Sequence, residues 1–135
     1  IELRNECSDI MKGDTLANGE VFITSAYNLP SSFIIHTVGP QIYGGVTEKD
    51  KNDLKNCYYN SLQVSKEKNL RTIAFPCIST GLYGFPKREA SIIATSTVKK
   101  FISDNPNVFD HIIFNVFEDD DLEIYKDIIG GDKVE

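Results

Sequence analysis

The run Phe33-Ile34-Ile35-His36-Thr37-Val38 constrains the fold more than any other stretch of this chain. Its residues are nearly all apolar or β-branched and do not alternate with polar ones. That pattern reads as a strand buried on both faces, in a sheet layered with helices. Gly39-Pro40 stops it. Val21 to Thr24 reads as a strand before it, joined through the turn-prone Asn28-Leu29-Pro30-Ser31-Ser32. Thr72 to Pro76 is a further buried strand, with Pro76 at its end because proline cannot donate to a central ladder. Ile112-Ile113-Phe114-Asn115-Val116-Phe117 is the last.

Helical periodicity separates these runs. From Asn52 to about Lys68, the residues Leu54, Tyr58, Ser61, Leu62 and Ser65 share one helical face. Ala90, Ile93, Ala94, Thr97, Val98 and Phe101 mark a stronger helix, with Pro86 at or just before its first turn. Asn105-Pro106-Asn107 ends that helix. The acids from Glu118 to Asp121 precede a terminal helix over roughly 122–129, where they suit the positive end of its dipole. Ile1, Leu3, Cys7, Ile10 and Met11 carry an opening helical stripe with no start signal, as in a chain cut from something longer. Strands alternating with helices over 135 residues predict one α/β layered domain spanning 1–135.

Charge narrows the partners. The chain has 14 basic and 20 acidic side chains, a formal net charge of −6, with no basic run to neutralise phosphates. General nucleic-acid and anionic-membrane binding are therefore not expected. No stretch approaches the roughly 20 apolar residues of a membrane-spanning helix. Cys7, Cys57 and Cys77 cannot all pair internally and show no close spacing, which points to a reducing cytoplasm.

One segment concentrates the chemistry: Pro76-Cys77-Ile78-Ser79-Thr80-Gly81-Leu82-Tyr83-Gly84-Phe85-Pro86. It joins a buried strand to the strongest helix. A strand–loop–helix turn rich in glycine and small hydroxyl residues can aim several backbone N–H groups at an anion, with the helix N-terminus behind it. Ligands in open α/β sheets lie at such carboxyl ends of strands. A tight glycine turn with no ligand fits the same residues equally well, and no Gly-Lys-Ser/Thr ending makes it a P-loop. Cys77 with His36 could form a thiol nucleophile and base, but buried thiols and satisfied core histidines are far commoner. Cys7, Cys57 and His36 lack zinc-ligand spacing, and Asp119 to Asp121 lack the alternation of a calcium loop, so no metal site is assigned. His111 beside a strand start reads as polar surface.

The segment Ile78 to Pro86 resembles the phosphate loop of macro domains, which bind ADP-ribose. The likeness extends through Gly19-Glu20-Val21-Phe22-Ile23-Thr24-Ser25-Ala26-Tyr27-Asn28-Leu29-Pro30, Ile35-His36-Thr37-Val38-Gly39-Pro40, Tyr58 to Leu62, Ile73-Ala74-Phe75-Pro76 and Glu6-Cys7. It covers nearly the whole chain. The resemblance implies a three-layer α/β/α fold around a mixed sheet. It also implies that the backbone amides of Ser79, Thr80, Gly81, Leu82 and Tyr83 hold the diphosphate and the distal phosphate–ribose junction. The Tyr83 ring would pack on the distal ribose, and Phe117 would help wall the adenine pocket, although a plain core aromatic fits Phe117 as well. The partner implied is ADP-ribose or an ADP-ribosylated protein, with no metal or redox cofactor. The activity implied is removal of ADP-ribose from proteins or deacetylation of acetyl-ADP-ribose.

The hydrolytic members of that family carry an Asn-Ala-Ala-Asn segment followed by a Gly-Gly-Gly-Val-Asp-like loop. Neither occurs in these residues, and Gly13-Asp14-Thr15 lies in the wrong place to stand for the family's adenine-contacting aspartate. No catalytic residue is therefore assigned. The expectation is a truncated macro domain, impaired in hydrolysis, whose sheet lacks its first strands. The alternative is a non-catalytic remnant or interaction module that binds no nucleotide. Strands left with open edges are a liability. The gap is expected to close by re-pairing of 33–38 with 72–77 or by a second chain, so the open edges offer a route to a homo-oligomer.

Overall fold

The computed structural model describes residues 17–25, 33–80, 83–115, 123–125 and 128. Among them the element order is β1 (Val21–Ser25), β2 (Phe33–Thr37), α1 (Glu48–Glu67), β3 (Thr72–Phe75), α2 (Lys87–Asp104) and β4 (His111–Phe114). Glu123, Ile124, Tyr125 and Ile128 are helical, at the expected position of a terminal helix. The expected N-terminal stripe and the turn at 28–32 lie outside the described residues.

Helix α1 begins four residues before the expected Asn52 because Thr47 caps it. The Thr47 hydroxyl accepts from the Asp50 amide, and the Asp50 carboxylate accepts from the Thr47 amide. This reciprocal arrangement draws the charged Glu48-Lys49-Asp50-Lys51 stretch, which reads as loop from composition, into the first turn. β4 ends at Phe114, short of the expected Phe117; residues 116–122 lie outside the described residues. No helix among the described residues is long and apolar enough to cross a membrane.

The two helices pack against each other through small and hydroxyl-bearing side chains as well as large apolar ones. Leu54, Tyr58 and Leu62 of α1 join Ala90, Ala94, Val98 and Phe101 of α2 in the core, with Ile73, Phe75 and Phe114 from the strands. Buried hydroxyls here are satisfied by their own helices: Ser61 donates to the Cys57 carbonyl at 2.6 Å, and Ser65 to that of Ser61 at 2.8 Å. Thr95 donates likewise to Ser91 at 2.8 Å. Small residues of this kind can line a helix interface without an unmet polar group.

β1 and β2 pair antiparallel, from Val21 opposite Thr37 to Ser25 opposite Phe33. β3 and β4 pair parallel, from Thr72 opposite His111 to Phe75 opposite Phe114, with α2 as the crossover. The parallel register is clamped at its start by Arg71, whose guanidinium forks onto Asp110 at 2.9 and 2.8 Å. The four strands form two separate two-stranded sheets among the described residues. Re-pairing of 33–38 with 72–77 therefore does not occur. Nor are these strands buried on both faces as their composition predicts. Phe33 is 40% exposed, the rest of β2 is half-buried, and Thr72 and Ala74 of β3 are exposed. The reason is a cleft of about 1030 Å³ between β2 and β3, which leaves both strands open on that side.

Candidate functional site

The loop from Pro76 to Pro86 leaves β3 at its carboxyl end and enters α2, whose N-cap is Pro86. No side chain caps that helix, so its first-turn amides keep their positive end toward the loop. The loop rests on Tyr58 of α1. The buried Tyr58 hydroxyl lies 3.5 Å from the Pro76 carbonyl, to which it donates, and 3.4 Å from the Ile78 amide, from which it accepts. Burial pushes the Tyr58 pKa well above the usual tyrosine range, so the group that props the loop stays protonated. The loop closes on itself where the Phe85 amide donates to the Ser79 carbonyl at 2.9 Å, with Phe85 buried beneath.

Ser79 is the unusual residue. Its φ is +65°, in the left-handed region that disfavours residues with a Cβ. It is 8% exposed, and its hydroxyl is buried with no hydrogen-bond partner. Strain and an unmet polar atom at one residue each cost stability. Thr80 by contrast is satisfied, its hydroxyl donating to the Cys77 carbonyl at 3.1 Å. Among the described residues, the main-chain amides of Ser79 and Thr80 donate to no carbonyl. Tyr83 is 42% exposed. Its carbonyl accepts from the Ile42 amide at 2.8 Å, which ties this loop to the one that follows β2.

A second contact joins the same two loops. A Cβ built on Gly39 would collide with the Ser79 Oγ. Only glycine lets the chain leaving β2 approach Ser79 so closely. The carboxyl ends of β2 and β3 thus meet at Gly39 and Ser79, the position where ligands of layered α/β domains sit.

Of the residues expected from sequence, Ser79 and Tyr83 line the cleft between β2 and β3, the Thr80 hydroxyl turns back to the Cys77 carbonyl, and Gly81, Leu82 and Phe117 lie outside the described residues. Gly39, Ile42 and Tyr58 were not expected to support the loop. Gly39 reads from sequence as a strand stop and Tyr58 as a helix-face residue; their contact with Ser79 and Ile78 spans some 20 to 40 positions that no local pattern encodes. The discarded thiol site has other engagements. His36 stacks on Phe22 with ring centroids 4.5 Å apart and shares a 2.9 Å hydrogen bond with the Thr24 hydroxyl. The Cys77 thiol lies 3.8 Å from the Asn115 carbonyl. Among the described residues, no group of three His, Cys, Asp or Glu side chains could hold a metal ion.

The model of the macro domain family matches residues 1–94. The chain belongs to the macro domain family. It is 47% identical over 121 residues to human ADP-ribose glycohydrolase MACROD2, covering 90% of this chain and 28% of that protein. It is 39% identical over 135 residues to a protein-ADP-ribose hydrolase of Staphylococcus aureus, covering 98% of this chain and 50% of that one. The chain therefore spans half the length or less of these curated relatives. Among solved structures, a variant of the Oceanobacillus iheyensis macrodomain superposes with a TM-score of 0.88 at 40% identity, over 96% of this chain and 70% of that chain. A Trypanosoma brucei macrodomain in complex with ADP-ribose superposes with a TM-score of 0.77 at 33% identity, over 84% of this chain and 47% of that one. The α/β alternation read from sequence is thus the macro-domain fold.

Proposed function

We propose that the loop from Ile78 to Pro86 binds the diphosphate of ADP-ribose, and that the chain serves in recognising ADP-ribosylated proteins for removal of the modification. Ser79 carries this reading. A left-handed, buried serine with an unmet hydroxyl, beside an uncapped helix start and two main-chain amides that donate to no carbonyl among the described residues, is a costly arrangement for a turn that binds nothing. An anion there would accept from these groups at once. The Tyr83 ring, half in solvent at the loop's rim, suits the face of the distal ribose. Relatives named as ADP-ribose hydrolases, and a macrodomain solved with ADP-ribose, support the same ligand.

Within this proposal the wider architecture is a three-layer α/β/α domain on a mixed sheet, in a cytoplasmic setting. On this reading the loop contacts the diphosphate while the given residues contain no Asn-Ala-Ala-Asn segment, so we assign them binding and little turnover. Titration calorimetry with ADP-ribose tests the binding. Heat that saturates at a 1:1 ratio is expected, and Gly81→Glu should abolish it by adding a negative charge to the loop. No heat at millimolar ligand would favour the alternative, a module that binds no nucleotide. Release of ADP-ribose from a mono-ADP-ribosylated protein by these residues alone would overturn the assignment of weak turnover.

A further inference from the structure

The loop that follows β2 carries an aromatic side chain that the phosphate loop does not use. Tyr43 is 78% exposed, the most exposed of the large apolar and aromatic side chains among the described residues. A single exposed aromatic on a pliable loop would be ordinary. This one is held still. On its N-terminal side Ile42 packs against the core, and the Ile42 amide donates to the Tyr83 carbonyl at 2.8 Å. On its C-terminal side Val46 packs against the same core, and Thr47 is locked into the cap of α1. The ring is pinned as well, its hydroxyl donating to the Gln41 side-chain oxygen at 2.7 Å. Gly44 and Gly45 complete the tip. At Gly45 neither crowding nor a positive φ calls for glycine, and a Cβ there would meet nothing within 4 Å. The amides of Tyr43, Gly44 and Gly45 donate to no main-chain carbonyl among the described residues. No charged side chain occurs from Gly39 to Thr47.

We propose that Tyr43 and the bare main chain at Gly44-Gly45 contact the polypeptide to which the ADP-ribose is attached. The surface then selects a modified protein over the free nucleotide. This role rests on the loop from Ile78 to Pro86 holding the diphosphate with Tyr83 at the distal ribose. In an ADP-ribosylated protein the distal ribose carries the bond to the protein, so the polypeptide leaves the site beside Tyr83. Tyr43 stands one Cα step, about 3.8 Å, beyond the residue bonded to the Tyr83 carbonyl. Its chemistry suits a polypeptide. A pinned aromatic ring offers contact area with little conformational entropy left to lose, and tyrosine is enriched at protein interfaces. The amides beside it can donate to the carbonyls of an extended segment. With no charge on the tip, the contact should depend little on salt. The occupant is thus an uncharged, partly apolar stretch flanking the modified residue. A second copy of this chain is the poorer occupant, because one ring falls far short of the area a stable dimer buries.

Titration calorimetry compares three ligands on the 135-residue chain. They are free ADP-ribose, an uncharged peptide carrying one ADP-ribose through a hydrolysis-resistant linkage, and the same peptide unmodified. The modified peptide should bind at least about fivefold tighter than free ADP-ribose, and added salt should leave that preference in place. The unmodified peptide should bind far more weakly than either. Tyr43→Ala should abolish the preference while leaving the affinity for free ADP-ribose within about twofold of the unaltered chain. That retained affinity also shows that the variant is folded. Tyr43→Phe keeps the ring and should keep most of the preference. Gly45→Val should cut the preference by covering the bare main chain, and it decides the matter if Tyr43→Ala does not fold. If free ADP-ribose does not bind, the reading of the loop falls and takes this role of Tyr43 with it. If free ADP-ribose binds but the modified peptide binds no tighter, or Tyr43→Ala weakens both alike, the role of Tyr43 alone is overturned. The same follows if Tyr43→Ala dissolves a dimer seen by light scattering, since a second copy would then cover the ring.

Discussion

The two sheets have strands of similar length yet are held to the molecule by different forces. β3 and β4 bury Ile73, Phe75 and Phe114 in the helix-backed core, where Phe75 and Phe114 stack near Tyr58 and Tyr125. Among the described residues, the β1–β2 pair adds only the partly buried Ile35 to that core. Polar tethers hold it instead. The Asn60 side chain of α1 donates to the Gly19 carbonyl at 2.8 Å, and the Cys57 thiol of the same helix reaches the Val38 carbonyl at 3.3 Å. Burial drives most of the stability of one half, while hydrogen bonds of modest individual worth position the other. The candidate site lies where the two halves meet, at Gly39 and Ser79, so it inherits the weaker half's dependence on a few contacts.

The largest break in this comparison should come from the helix-backed half. Phe75→Ala is expected to lose about 3–5 kcal/mol by removing a buried ring and leaving a cavity. Ile35→Ala, in the tethered half, should lose clearly less. Urea denaturation of both variants checks the ranking, and equal losses would erase the distinction drawn above.

Next come the residues at the junction. Gly39→Ala should cost about 1–3 kcal/mol through overpacking against Ser79 and lower ADP-ribose affinity at least about tenfold. Ser79→Gly relieves both the left-handed strain and the unmet hydroxyl, so it should gain about 1 kcal/mol while weakening the ligand. Combining the two should recover much of the stability lost in Gly39→Ala. Additive losses in that double-mutant cycle would mean the two loops do not communicate through this contact.

A smaller effect concerns pH. Burial raises the Tyr58 pKa, so the folded chain holds this proton where the unfolded chain releases it. Stability should therefore be unaffected by this group below the unfolded tyrosine value of about 10 and fall as pH rises above it. Tyr58→Phe should flatten that alkaline decline, at a cost near neutrality of about 1 kcal/mol for the lost hydroxyl contacts. Thermal melts across the alkaline range measure both.

The smallest effect belongs to Arg71 and Asp110. Hydrogen bonding from the Arg71 guanidinium holds the Asp110 carboxyl below the usual carboxylate range. Its contribution is present above the ordinary carboxylate pKa and is lost as pH falls through the lowered value. Both side chains are more than half exposed, so solvent and salt should leave Arg71→Ala with only a slight change in acid stability. A large change would show that this clamp, rather than core burial, fixes the β3–β4 register.

Much of this architecture was legible in the residues themselves. The i, i+3, i+4 recurrence from Ala90 to Phe101 marks α2 because burial on one helical face imposes that spacing, and the β-branched runs mark β2, β3 and the start of β4. The macro-domain resemblance followed from several co-linear motifs, and the phosphate loop stood out by its glycines and hydroxyls. Three features were not legible. The start of α1 depends on a Thr47–Asp50 pairing hidden within a charged stretch. The exposure of Thr72 and Ala74 depends on which strand lies beside β3, and an apolar run cannot say so. The orphan hydroxyl of Ser79 depends on where Gly39 arrives from the far side of the cleft.

Sequence by itself determined the elements, the family and the position of the loop, because periodicity, turn chemistry and motif order are local properties of the chain. Tertiary structure alone decided that the strands among the described residues divide into two sheets, that Tyr58 props the loop, and that Ser79 sits strained against Gly39. Strand partners and close approaches join residues far apart in the chain, and their free energies depend on geometry that no local stretch contains.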